Sequence, residues 1–188
     1  MKKWSISSGV MLIALTLLVF VPNAICVNQI RLRSQAMRLS DSDVKSMLIK
    51  YNFFDRTKNK NGTFANDLRD NNDGTVTDRA TGLMWQKGGS SDGMVWLKAK
   101  EYVNQLNNER FAGYSDWRLP TIEELASLMK STKAKDMHID PLFSEEQEIC
   151  WSADAFDTDI AWYASFKSGM IRHIYRFFYY VKAVRTIK

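Results

Sequence analysis

The sequence is poor in the residues from which most compact catalytic and metal sites are built. It holds two cysteines, Cys26 and Cys150, and two histidines, His138 and His173, among 188 residues. Neither histidine has a cysteine or carboxylate at zinc-ligand spacing, and no G-x-S-x-G stretch offers a serine-hydrolase nucleophile. The apolar run from Val10 to Val21 is twelve residues long, against the roughly 20 that a membrane-spanning helix takes. A strong basic excess is missing too. The net charge, +5 for the full chain and +3 once Lys2 and Lys3 leave with the signal segment described below, is too mild for a whole-protein electrostatic argument for nucleic acid, so any such claim would have to rest on a local patch.

What the chain does have begins with its export signal. Lys2 and Lys3 precede the apolar run, and Pro22, Ala24 and Cys26 follow it, the order of a secretory signal sequence over residues 1–26. Cleavage after Cys26 leaves small side chains at the two positions the peptidase reads and starts the mature chain at Val27. A lipidated Cys26 fits less well, because Ile25 and Asn23 stand where a small and an aliphatic residue are expected. Losing Lys2 and Lys3 lowers the count of Lys and Arg from 26 to 24 against 21 acids, a net of +3. The expected location is extracytoplasmic (periplasm, cell surface or exterior), with no stable membrane span once the signal is removed. If Cys26 leaves, Cys150 has no intramolecular partner; cleavage at Ala24 would instead leave a Cys26–Cys150 pair open. The remainder is enough for one domain with its own core.

Local patterns then set the expected organisation: a helical lead-in segment over residues 27–63 and the main domain over 64–188. Ser40 and Asp43 have capping spacing, and Val44, Met47, Leu48 and Tyr51 recur at helical intervals. Polar and basic residues from Asp55 to Asn66 read as a loop or linker. Asn72-Asp73-Gly74 before Thr75-Val76-Thr77, and Thr81-Gly82 before Leu83-Met84-Trp85, are hairpin signals. Val95 to Leu106 predicts a helix with Trp96, Ala99, Val103 and Leu106 on one stripe. Thr121 and Glu124 form a capping box for another, facing Ile122, Leu125, Leu128 and Met129 inward. Cys150 to Ser152, Ile160 to Phe166, Met170 to Arg176 and Val181 to Ile187 read as strands, with Lys167-Ser168-Gly169 as a turn. Two main helices on short antiparallel strands, with the strands concentrated in the second half, predict an α+β fold.

Several motifs invite function and have structural explanations beside it. Asp70 to Gly74 is acidic and ends in glycine, but an EF-hand register would put Arg69 at the first ligand position, so a turn is expected and no metal. In Asp116-Trp117-Arg118, a ligand clamp competes with a buried tryptophan flanked by charges that tie down the loop; the second is favoured. Most of Trp85, Trp96, Trp117, Trp151 and Trp162 should be core. Charge is segregated as well. Eight acids and no Lys or Arg lie between Asp136 and Asp159, and six bases and no acid between Ile160 and Lys188. These two sets can pair across a solvated surface, or the basic one can meet a polyanion. Alternation on Met170 to Arg176 would put Arg172 and Arg176 on one face, about 7 Å apart, a fork for sulfate or carboxylate. Lys167 and Lys182 would enlarge that patch if their strands neighbour it. Arg185 is as well explained by a structural ion pair.

Five separate stretches, DNNDGTVTDRATGLMWQ at 70–86, AGYSDWRLPTIEELASL at 112–128, CWSAD at 150–154, AWYASFKSG at 161–169 and VKAVR at 181–185, together resemble the Lcl C-terminal domain family over about residues 64–187. The resemblance implies a C-type lectin-like fold and a role in adhesion through sulfated glycosaminoglycans. Calcium-dependent sugar binding is not implied for this chain, since only Trp151-Ser152-Ala153-Asp154 loosely echoes the lectin calcium motif. The formylglycine-generating enzyme, similar in fold group, relies on a pair of cysteines that this chain lacks if Cys26 is removed. The leading expectation is an exported ligand-binding or adhesion module for an anionic glycan, without a cofactor, acting alone or as an oligomer. Two alternatives are a cell-envelope enzyme on the same scaffold, which a perturbed acid or base in a deep pocket would favour, and an accessory domain that binds a partner.

Overall fold

The structure, a computed structural model, describes Met1 and residues 29–187; the rest of the expected signal segment, Cys26 included, and Lys188 lie outside the described residues. Among the described residues there are three α-helices and two antiparallel sheets, with most strand residues in the second half of the chain. Helix α1 (Asp41–Lys50) starts at Ser40, whose hydroxyl accepts from the Asp43 amide while the Asp43 carboxylate accepts from the Ser40 amide. A capping box of this kind stabilises a helix start by about 1 kcal/mol. Helix α2 (Trp96–Asn108) buries Ala99, Val103 and Leu106. Helix α3 (Ile122–Ser127) has its own capping box, Thr121 with Glu124, and buries every one of its residues. Among the described residues no helix is long and apolar enough to cross a membrane.

The first sheet has the order β1 (Leu68–Asp70), β2 (Thr75–Asp78), β3 (Leu83–Gln86), β7 (Val184–Thr186). The acidic stretch before β2 is the expected turn. Gly74 sits at φ +86, a backbone region open to glycine at little cost, and Asp73 accepts from the Thr75 amide and hydroxyl. Asp70 is occupied by Lys87 at 2.5 Å and by the Asn72 amide. The strand expected over Val181 to Ile187 narrows to Val184–Thr186. Residues before it run beside 86–94 through separate backbone bonds, Ser90 to Val181 and Met94 to Tyr179 among them.

The second sheet, β4 (Ile149–Asp157), β5 (Ile160–Ser165) and β6 (Met170–Tyr175), separates two hydrophobic clusters. Period-two alternation does this. Cys150, Ala164 and Ile171 are in register and face the first cluster, with α1, α3, Trp85 and Trp162. Trp151 and Tyr163 face the second, with α2, Trp117, Tyr179 and Val181. Some of the sheet's outer backbone groups are also covered. Ala155 on β4 exchanges bonds with Met37 and Leu39 of the leading segment, and on β6 the Ile171 amide donates to Asp55 while Lys58 donates to its carbonyl. Such cover protects an edge against pairing with another chain. The stretch from Asp55 to Asn66 is turn-rich as expected, but it starts from a wholly buried Asp55. Val44, Leu48, Phe53 and Phe54 join the same cluster as Val76, Trp85 and Ile171.

Candidate functional site

The four cations expected to form one anion-binding patch have separate settings. Lys182 is a correction: it is fully buried. Its ammonium donates to the carbonyls of Lys87 and Gly88 and lies 5.1 Å from the Phe143 ring centre, so it cannot enlarge a surface patch. Burial pulls its pKa down to about 8. The cause of the error is local: Lys182 lies before the regular part of the strand, and alternation gave no measure of how deeply that segment is enclosed. Lys167 is exposed but pairs with Glu148 at 2.8 Å. Arg172 is spent on the Thr57 hydroxyl and the Ile171 carbonyl, with Asp55 at 3.9 Å.

Arg176 differs from these three. Strand β6 ends at Tyr175, and Arg176 adopts φ +36, an uncommon setting for a residue with a Cβ. The alternation that would have paired it with Arg172 therefore stops one residue short. Its guanidinium lies 5.1 Å from the Tyr175 ring centre, within cation–π range, and it lines a groove of about 240 Å³ with Val95, Trp96, Leu97, Trp151, Asp159 and Ile174. The groove is mainly apolar, and Arg176 and Asp159 supply its charges. Helix α2 begins there, with neither a capping side chain nor an acid in its first turn. Its first amide groups add positive potential to the groove.

The walls of the groove are held in place. The Trp96 indole donates to the Ser152 carbonyl and the Trp151 indole to the Met94 carbonyl, each at 2.7 Å, which ties the start of α2 to β4. Tyr179 lies 4.8 Å from Trp151 and 4.7 Å from Tyr163, ring centre to ring centre; burial and Tyr163 push its phenol pKa up. Tyr175, Phe177 and Phe178 are exposed beside this cluster, Phe178 at 69%. The sequence reading missed the groove. Its signal was the run Tyr175-Arg176-Phe177-Phe178, where neither face of a strand could be polar throughout.

The remaining motifs resolve into structure. Trp117 is buried, Asp116 pairs with Arg185 at 2.6 Å, and Arg118 pairs with Glu124. Four of the five tryptophans in this region are buried, and Trp96 is the partly exposed one. The segregated charges pair less with each other than the sequence allows. Glu148 with Lys167 is such a pair, whereas Asp154 goes to Arg33, Asp157 to Arg38 and Glu145 to Lys135. Cys150 lies wholly inside, and burial raises its thiol to about 12, a setting in which a thiol is inert.

The model of the Lcl C-terminal domain family matches residues 74–185, more than half of the chain. No curated protein matches it.

Proposed function

Because the chain belongs to the Lcl C-terminal domain family, we propose that it is an exported binding or adhesion module that takes an anionic glycan in the groove beside Arg176. The observation that carries this reading is the groove itself. An apolar floor with an indole in its wall suits the flat face of a sugar ring. On its rim, Arg176 has no carboxylate partner among the described residues and the α2 amide ends lie nearby, which suits a sulfate or carboxylate substituent. Asp159, which also lines the groove, can accept from sugar hydroxyls. A C-type lectin-like scaffold, the fold group that the family resemblance implies, agrees with this use. Family membership supports a surface-associated, adhesin-like setting; the ligand class rests on the groove.

The test is retention of the purified chain on immobilised heparin over a salt gradient. R176A is expected to weaken binding by up to roughly fivefold, the range of an exposed charged contact, and to elute at lower salt. D159N removes a repulsive charge and should elute later than the parent. No retention of the parent, or R176A eluting with it while folded, overturns the proposal.

A further inference from the structure

A second concavity, about 430 Å³, adjoins the groove at Trp96. Its wall includes Trp96, Lys100 and Asn104 from α2, Ala36 from the leading segment, and Ala153 from β4. Trp96 thus belongs to both concavities. Lys100 and Asn104 are one helical turn apart, so they stand on one face. Both are exposed and neither has a hydrogen-bond or ion-pair partner among the described residues. Other polar groups at this wall are already engaged: Asn107 bonds the Trp117 backbone in both directions and Arg118 holds Glu124.

We infer that the two concavities form one extended binding site for a linear anionic oligosaccharide, with Lys100 and Asn104 as a second subsite joined at Trp96 to that of Arg176. This inference rests on the glycan reading above and adds the length and direction of the ligand. The shared indole is what joins the halves. A ring stacked on a partly exposed tryptophan leaves its two glycosidic ends free to extend, and here each concavity offers an unpartnered cation. The second concavity also carries an amide able to both donate and accept toward sugar hydroxyls. A compact ligand would fill one concavity and gain nothing from the other. A chain of several sugars gains from both, because the second contact forms within an already bound molecule.

The experiment is calorimetric titration of the full chain with size-defined heparin oligosaccharides, a tetrasaccharide and an octasaccharide. The parent is expected to bind the octasaccharide about tenfold more tightly, equivalent to one further favourable contact region. In K100A/N104A that advantage should shrink to the small statistical gain of a longer lattice, while the tetrasaccharide binds as before. In R176A both oligosaccharides should weaken. Equal binding of the two by the parent, or an octasaccharide advantage retained in K100A/N104A, overturns the second subsite and leaves the groove at Arg176 standing. Failure of the parent to bind either one overturns the glycan reading and the inference together. Both substituted residues are exposed on one helix, and unchanged circular dichroism verifies that the variants are folded.

Discussion

A lysine in a dry site with no carboxylate nearby has a free-energy difference between its protonation states that does not exist in the unfolded chain. Lys182 is such a residue: its pKa falls from 10.5 to about 8 through burial, with two backbone carbonyls, the face of Phe143 and the Cys150 thiol as its surroundings. Below pH 8 both the folded and the unfolded chain carry the proton, and folding bears the full cost of burying the charge. Between about 8 and 10.5 the unfolded chain binds more protons than the folded one, so stability rises with pH. The gain is on the order of 3 kcal/mol by the pKa difference. Urea denaturation of the parent and of K182M across that range should show the rise in the parent and its absence in the variant; parallel curves would refute it. Little of this was legible in the sequence, because alternation assigns a face to a residue and not a depth. Arg176 was legible as a cation free to bind, but not through the geometry first expected of it. A strand ending at Tyr175 and a left-handed residue after it have no marker in Arg-Phe-Phe.

At the scale of elements, the leading segment is fastened to α3 and β4 by one buried carboxylate. Asp154 takes a bidentate pair from Arg33, with contacts of 2.8 and 2.7 Å, and also accepts from the amides of Met37 and Ile122. The Arg33 amide in turn donates to Glu123. Removing one partner of such a buried pair typically costs about 3–5 kcal/mol, because the other is left uncompensated. D154A should therefore lower unfolding stability by about 3 kcal/mol or more, and R33A by a comparable amount. The double variant should lose less than the sum, since the two residues act as one unit. Additive losses in chemical denaturation would show that they do not. The capping boxes at Ser40 and Thr121 and the hairpin turn at Asp73-Gly74 were readable because each is a local bond pattern with its own residue signature. Strand β1 was not, since Leu68-Arg69-Asp70 has no apolar alternation and is held by pairing with β2. Nor was the length of β4. Its register shifts between Trp151 and Ala155 and again before Asp157, which breaks the period-two pattern that a sequence reading needs.

For the molecule as a whole, the family match begins at residue 74, yet the core does not. Val44, Leu48, Phe53 and Phe54 are buried against Val76, Trp85 and Ile171, and Asp55 satisfies the outer edge of β6. A chain cut to residues 74–188 would expose that cluster and leave the Ile171 amide without its acceptor. It is expected to collapse without fixed packing, binding a hydrophobic dye and losing its near-ultraviolet circular dichroism, whereas a chain starting at Val27 should fold. A sharp cooperative melt of the shorter chain would contradict this. The α+β class was legible from pattern. The inclusion of the leading residues in the core was not, because Phe53 and Phe54 stand next to a stretch whose composition signals a linker. The same packing gives the molecule an optical consequence. With Trp85, Trp117, Trp151 and Trp162 enclosed, Trp96 is the described indole that water reaches, and it lies where the two concavities meet. Its fluorescence colour and its accessibility to soluble quenchers are therefore set by whatever lies across the groove, so the chain carries an intrinsic reporter at the site where a bound ligand would sit.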